Sequence, residues 1–153
     1  MSVNESAAPR LMVPALSGLY KALAPYSYSF MRFCVGAIMV PHGYVKLFNG
    51  GITNTAGVLA KAGFEPSFAW AYLVSGVEFF AAIFVAIGFL TRPAALLLAI
   101  ELFVITFVFQ WGNGYFWTGR GYEYALLWGL LYLAIAVRGG DRLSVDRAIG
   151  REI

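Results

Sequence analysis

Residues 67–111 read SFAWAYLVSGVEFFAAIFVAIGFLTRPAALLLAIELFVITFVFQW, and this stretch decides the fold. It holds two apolar blocks, 67–90 and 93–111, which are separated only by the Thr-Arg pair at 91–92. Each block has the roughly 20 apolar residues that a helix needs to cross a hydrocarbon core about 30 Å thick. Pro93 suits the first turn of the second block, because its missing N–H costs nothing there. We expect two transmembrane helices in a tight antiparallel hairpin.

Two further apolar windows, 27–48 and 122–137, flank this hairpin. The composition agrees with a membrane protein, because 60% of the 153 residues are hydrophobic, only 12% are charged and the mean hydropathy is +0.72. Stretches such as 81–90 and 94–100 are apolar on every side, whereas membrane β-strands alternate apolar and polar residues. The sequence therefore predicts an all-α integral membrane protein, an antiparallel four-transmembrane-helix bundle.

The remaining residues form an arm at 1–26 and a basic tail at 139–153, so that the membrane domain covers 27–138. Lysine and arginine are shared unequally between the two sides of this arrangement. The arm, the second connection and the tail carry Arg10, Lys21, Arg92, Arg138, Arg142, Arg147 and Arg151. The other side carries Lys46, Lys61 and Arg120. The positive-inside rule then predicts that both termini are cytoplasmic.

The apolar run at 11–16 is too short for a signal peptide, and we expect no cleaved segment.

Several kinds of chemistry are disfavoured. The single cysteine, Cys34, cannot form an intrachain disulfide or a Cys-x-x-Cys pair. The formal charge of +3 follows from topology, so we expect no nucleic-acid partner. A helical di-iron site needs two Glu-x-x-His motifs, which are missing, and nothing in the sequence supports haem ligation by His42 alone. We expect no metal site.

Ionisable residues inside the predicted spans are the candidates for function, because a charged Asp, Lys or Arg at mid-membrane costs about 2.5 to 3.5 kcal/mol. They are Arg32, His42, Lys46, Glu78, Glu101 and Glu123. Helical geometry places several of them on one stripe of the first span with two glycines. This stripe consists of Arg32, Gly36, Met39, Gly43 and Lys46. In the second span Glu78 lies among small residues, and we expect the two faces to pack together.

The depth of these residues predicts a polar cavity that opens outward. It would be lined by His42, Lys46, Glu78, Glu101 and Glu123, with Arg120 at its mouth. The alternative is that the charges only join the helices as buried ion pairs, but such pairs are poor stabilisers compared with apolar packing. Arg32 lies nearer the cytoplasmic side and could extend to the inner headgroups.

Two segments outside the spans look like membrane anchors. The third connection contains Tyr115, Phe116 and Trp117, which fit an aromatic belt at the outer interface better than a ligand-stacking site. In the tail, apolar Val145, Ile149 and Ile153 recur every four residues between arginines. This spacing predicts a short helix on the anionic inner leaflet.

Four short motifs occur in a specific order between residues 30 and 146. They are Arg32-Phe-x-x-Gly36 leading to His42-Gly43-x-x-Lys46-Leu47, then Glu78 followed by Ile87-Gly88-Phe89-Leu90-Thr91-Arg92, then Gly121-x-Glu123-Tyr124-Ala125-Leu126, and last Gly139-Gly140-Asp141-Arg142-Leu143-Ser144-Val145-Asp146. Because it has these motifs in this order, the chain resembles the DoxX family of small four-helix bacterial membrane proteins. The resemblance implies a bacterial inner-membrane location and a link to membrane redox. The founding member is a subunit of an archaeal thiosulfate:quinone oxidoreductase, and relatives are linked to quinone or thiol stress responses.

The resemblance thus implies a quinone as the ligand class. A quinone has an apolar tail that can enter between helices and two carbonyls that need hydrogen-bond donors. We expect Glu78 and His42 to carry catalytic proton transfer. We expect the ligand to be bound by Lys46, Arg32, Glu101, Glu123 and Arg120.

The chain shows no haem motif, cysteine cluster or dinucleotide fingerprint. An enzyme of this kind would therefore be an oxidoreductase subunit that takes electrons from a partner redox subunit. The alternative function is a non-catalytic membrane scaffold or assembly factor that recruits a partner protein through the aromatic connection. A transporter is a weaker reading, because the sequence shows no doubled half with broken helices. Membrane lipids are expected partners, and an oligomer is possible.

Overall fold

The computed structural model describes residues 11–152, and this part of the chain contains helices and no strand. After a short 3₁₀ turn at Pro14–Leu16, the helices follow in chain order. They are α1 (Ser17–Phe48), α2 (Gly51–Lys61), α3 (Ser67–Ile87), α4 (Thr91–Asn113), α5 (Glu123–Arg138) and α6 (Val145–Ala148). The predicted all-helical class is confirmed.

Two of these helices, α3 and α4, are long and apolar enough to cross a membrane. They correspond to the two apolar blocks at 67–90 and 93–111. The other long helices do not pass the same test of length and composition. Helix α5 has only 16 residues, and α1 carries the charged residues Lys21, Arg32 and Lys46 along its 32 residues. The structure therefore supports two membrane-capable helices, and the four crossings stay a prediction.

The helix boundaries differ from the predicted spans in part. Helix α1 begins at Ser17, ten residues before the predicted span 27–48, so that residues 17–26 of the predicted arm are helical. The residues before Pro25 are mostly good helix formers such as Leu and Ala, which explains the early start. Helix α3 ends at Ile87 rather than at 90, because Gly88 adopts a left-handed backbone with φ of 73°. Residues 1–10, with Arg10, and Ile153 lie outside the described residues.

Helices α1 and α3 pack closely in opposite directions through two glycines of α1. A Cβ on Gly36 would lie 2.5 Å from the backbone nitrogen of Ala86, and a Cβ on Gly43 would lie 2.7 Å from the Cα of Phe79. Backbone therefore meets backbone at both points, as small residues permit in membrane bundles. The predicted contact between these two faces is confirmed.

Helices α4 and α5 form the other tight pair, and they also run in opposite directions. Arg92 at the start of α4 contacts the end of α5, whereas Phe103 further along α4 lies against Gly129. The two pairs share one apolar core. Its most buried members are Ala82, Val85, Ala95, Leu98, Ala99, Tyr132 and Ile135. The short helix α2 packs on the first turns of α3 around a separate apolar cluster.

At one end of the bundle, charged side chains satisfy the free backbone groups of two helix termini. Arg32 is 1% exposed and donates hydrogen bonds to the carbonyls of Val85 and Ala86 at the end of α3. Asp146 is 3% exposed and accepts hydrogen bonds from the backbone nitrogens of Leu90 and Thr91 at 2.7 and 2.9 Å. Each charge has the sign that the helix dipole favours at that terminus.

The tail folds back onto this end of the bundle, where a short helix is present as predicted, and its position on the inner leaflet stays a prediction. Helix α6 has only four residues, and the backbone nitrogen of Asp146 donates to the carbonyl of Gly88 at 2.9 Å. The Tyr28 hydroxyl in α1 donates to the carbonyl of Gly139 at 2.7 Å. The tail is held at this end because the buried N–H and C=O groups at the end of α3 and the start of α4 need hydrogen-bond partners, and the tail provides them.

We expect Asp146→Ala to destabilise the protein by roughly 2 kcal/mol, because it removes three hydrogen bonds to Leu90 and Thr91, including one from the Thr91 hydroxyl at 2.6 Å. Thermal unfolding of the purified protein, followed by tryptophan fluorescence, measures this loss. The control is Asp141→Ala, whose carboxylate accepts one side-chain hydrogen bond, from Ser29 at 3.0 Å. Equal losses for both variants would contradict a capping role.

Candidate functional site

The strongest polar contact inside the bundle joins α1 and α3. Lys46 Nζ lies 2.5 Å from Glu78 Oε1, and the two side chains are 29% and 7% exposed. Gly43 lies almost one turn before Lys46 and lets α1 approach the backbone of Phe79, the residue that follows Glu78. The packing of small residues thus brings a lysine to a buried carboxylate, as the sequence predicted.

Glu101 on α4 adds a second carboxyl group to this pair, since it lies within electrostatic reach of both Glu78 and Lys46. The three side chains together are called the polar cluster below. Two of its oxygens, Glu78 Oε2 and Glu101 Oε2, are buried and receive no hydrogen bond from an N–H or hydroxyl group among residues 11–152, and the two carboxyl groups lie within hydrogen-bond reach of each other. Leaving a buried polar group unpaired costs about 1 to 3 kcal/mol, so these oxygens call for a hydrogen-bond donor.

The backbone is irregular next to both carboxyl groups. Glu78 lies within a π-helical turn at Val77–Ala81, and a second π-helical turn at Ile105–Gln110 begins one turn after Glu101. A π turn inserts one extra residue and so rotates the face that follows it, and such turns are frequent at functional sites. No sequence pattern signalled these turns.

Three further polar side chains lie inside the bundle and were not predicted as site residues. Ser75 lies three residues before Glu78 on the same buried face, and its hydroxyl has no partner among the described residues. Gln110 Oε1 is likewise buried and unpaired there. Tyr132 is fully buried, donates a hydrogen bond to the carbonyl of Val35 at 2.9 Å and lies within electrostatic reach of Glu101. Polar residues inside apolar helices were the available signal.

His42 is not brought into the polar cluster. It is exposed, lies on the same side of α1 as exposed Ile38 and Val45, and makes no side-chain hydrogen bond among residues 11–152. Lys46 lies one turn away on a similar face of α1. Its long side chain can extend across the helix edge to Glu78, whereas the shorter imidazole cannot.

The remaining predicted residues also lie apart from the polar cluster. Arg32 is separated from Lys46 by 14 positions, which is about 20 Å along a helix. It hydrogen-bonds carbonyl groups, so it neither binds a ligand in the cluster nor extends to headgroups. Glu123 accepts a hydrogen bond from the backbone nitrogen of Trp117 at 2.9 Å, which closes the aromatic connection. Arg120 is exposed with a left-handed backbone at φ of 63°.

Comparison with known proteins assigns the chain to a family. A family model described as DoxX matches residues 28–111, which include all three members of the polar cluster. A protein of Haemophilus influenzae, described as uncharacterised, is 32% identical over 126 residues, which are 80% of this chain and 90% of that protein. No solved structure matches the chain significantly.

We expect Gly43→Ala to lower the thermal stability of the protein, because its Cβ would lie 2.7 Å from the Cα of Phe79 and push α1 away from α3. Gly18→Ala is the matched control in the same helix, since a Cβ there meets no atom within 4 Å. Alanine is favoured over glycine in a helix by about 0.5 to 1 kcal/mol, so the control should be neutral or stabilising. A stabilising Gly43→Ala would show that the close contact is not needed.

Proposed function

Because the chain belongs to the DoxX family of membrane-associated proteins, we propose that it is a membrane subunit of a quinone-linked redox system. In this proposal the polar cluster of Lys46, Glu78 and Glu101 binds the head group of a quinone-type ligand. The observation that carries the proposal is the pair of buried carboxyl oxygens, Glu78 Oε2 and Glu101 Oε2, that receive no hydrogen bond from an N–H or hydroxyl group beside the Lys46 ion pair. An ion pair that only joins two helices would not need the second carboxyl group that Glu101 adds beside Glu78.

The proposed topology has four crossings, by α1, α3, α4 and α5, with both termini in the cytoplasm of a bacterium. In addition to the two membrane-capable helices, the outward faces of α1 and α5 are apolar, which supports this topology. Phe30, Phe33 and Ile38 are exposed on α1, and Leu127, Leu130 and Val137 are exposed on α5. The 16 residues of α5 reach about 24 Å, and the aromatic connection before it can complete the crossing.

The residues of the polar cluster suit the two forms of such a ligand. A quinone takes up two electrons and two protons and becomes a quinol with two hydroxyl groups. The Lys46 ammonium has three donors, of which one goes to Glu78, so it can also donate to a head-group carbonyl. The unpaired oxygens of Glu78 and Glu101 can accept hydrogen bonds from the hydroxyls of the reduced form.

Proton handling is assigned to the two glutamates, because intramembrane carboxyl groups are common in proton relays. His42 is left out of this role, since it is exposed on the apolar side of α1. The two electrons are assigned to a separate redox protein that meets this subunit. The proposal therefore concerns binding, orientation and proton transfer by this chain, within an assembly that oxidises the partner and reduces the quinone.

The test compares Lys46→Met, Glu78→Leu and the double variant with the wild type. Breaking a buried ion pair leaves one uncompensated charge and costs about 3 to 5 kcal/mol, whereas replacing both partners by apolar residues is often neutral. We expect each single variant to be destabilised and the double variant to recover its stability. We expect all three to lose the quinone that co-purifies with the wild type in mild detergent, as measured by mass spectrometry of the extract.

The double variant separates the two roles of the polar cluster. If it is stable and still carries quinone at the wild-type level, the ligand does not bind there and the proposal fails. Glu101→Gln gives a second measurement that keeps the size of the side chain. We expect a loss of bound quinone in this variant with little change in thermal stability.

A second function, that of a membrane scaffold, is favoured by the exposed aromatic connection. Phe116 and Trp117 are 69% and 60% exposed, and the hydrogen bond from Trp117 to Glu123 holds the turn in place. Such a surface fits either an interfacial anchor or a contact with another protein. The scaffold role requires that a partner recognise this turn rather than the polar cluster.

The scaffold role predicts that a co-purifying partner is lost when Phe116 and Trp117 are replaced by alanine and is retained in the Lys46→Met, Glu78→Leu double variant. Affinity purification of the full chain from its host membrane, followed by protein mass spectrometry, measures both. Phe30→Ala, Phe33→Ala is a matched control, because these two aromatic residues are exposed on α1 away from the turn. A partner lost in the double variant alone would favour the redox subunit.

A further inference from the structure

An apolar groove lies on the outer surface of the α3–α4 hairpin, with a volume of about 390 Å³. Its lining includes Gly76, Val77, Phe80 and Ala81 on α3, and Pro93 and Leu97 on α4. Helices α3 and α4 are the two membrane-capable helices, so the groove faces the lipid in the proposed topology. The sequence predicted a polar cavity that opens outward, and no sequence pattern indicated a groove on this side.

The groove lies next to the polar cluster along both helices, although no member of the cluster lines it. Leu97 lies one turn before Glu101 on the same face of α4, and Val77 is the neighbour of Glu78 on α3. Glu101 itself is only partly buried, although its Oε2 is fully buried and unpaired among residues 11–152. Its side chain therefore runs from the helix surface into the interior. The apolar groove therefore ends about one helical turn before this carboxyl group along α4.

We propose that this groove holds the polyprenyl tail of the quinone, and that the ligand enters sideways from the lipid between α3 and α4. This inference rests on the proposed function, because it takes the polar cluster as the head-group site. The polar cluster fixes which end of the ligand points inward, and the groove fixes the direction of the tail.

Gly76 is the position at which the groove can be blocked without disturbing the fold. A Cβ on Gly76 would meet no atom within 4 Å, so the chain has room for a larger side chain there. Phenylalanine at this position would occupy the space of the groove. Gly57 on α2 is a matched control, because it is also a helical glycine with no atom within 4 Å and does not line the groove.

The experiment measures binding of two probes to the full chain in detergent, decylubiquinone and the same dimethoxy-methyl-benzoquinone ring without the decyl tail. We expect Gly76→Phe to weaken decylubiquinone binding roughly tenfold, or about 1.4 kcal/mol, because the phenyl ring and the tail compete for the same space. Binding of the tail-less probe to this variant should stay unchanged. Gly57→Phe should leave both affinities at the wild-type level, and Lys46→Met should weaken both probes.

The results that would contradict the tail groove differ from those that would contradict the head-group site. Unchanged decylubiquinone affinity in Gly76→Phe overturns the tail groove and leaves the head-group site intact. Absence of binding of either probe to the wild type overturns both proposals. A photoreactive group at the end of the decyl tail provides an independent readout. Labelling of peptides with Phe80 or Leu97 supports the groove, whereas labelling confined to Tyr115–Trp117 overturns it and favours entry from the aromatic connection.

Discussion

Gly36 and Gly43 bring the backbone of α1 against that of α3, and the placement of the charged residues depends on this contact. Because the two helices run in opposite directions, the contact places one charged residue of α1 beside the end of α3 and another beside the middle of α3. Near Gly36, Arg32 reaches the last carbonyls of α3, and near Gly43, Lys46 reaches Glu78. A larger residue at either glycine would separate both pairs. A small-residue stripe thus determines where polar chemistry is possible in an otherwise apolar bundle.

The charges at the end and at the middle of α3 serve different purposes. At the tail end, Arg32 and Asp146 complete the hydrogen bonding of helix termini, where free backbone groups need partners in any environment of low polarity. In the polar cluster, Glu78 and Glu101 instead keep buried oxygens that receive no hydrogen bond from an N–H or hydroxyl group among residues 11–152. Arg32 Nε is also buried without a partner among these residues, so unpaired atoms alone do not distinguish the two ends. The proposed binding role rests instead on two carboxyl groups gathered beside Lys46, whereas the charges at the tail end are directed at backbone groups.

Family membership and geometry support the same proposal from different directions. The match to the DoxX family covers residues 28–111, which carry the polar cluster and the groove between α3 and α4. The tail that closes the helix ends, around Asp146, falls outside this match. Helix α5 also falls outside it, although Tyr132 from α5 hydrogen-bonds the carbonyl of Val35 in the core. The relative of Haemophilus influenzae, with 80% of this chain aligned, extends the similarity beyond the family match.

The sequence by itself determined the helical class, the hairpin of α3 and α4 and the pairing of the Lys46 stripe with the Glu78 face, because apolar periodicity and glycine spacing are local properties of a helix. Only the tertiary structure decided which ionisable residues meet. His42 and Lys46 are one turn apart, yet side-chain length sends only Lys46 to Glu78. Arg32 was predicted to bind a ligand, whereas its guanidinium binds carbonyl groups of α3, and no pattern in the tail predicted that Asp146 would cap α4. Such partners lie more than 50 residues away along the chain, and no local pattern encodes them.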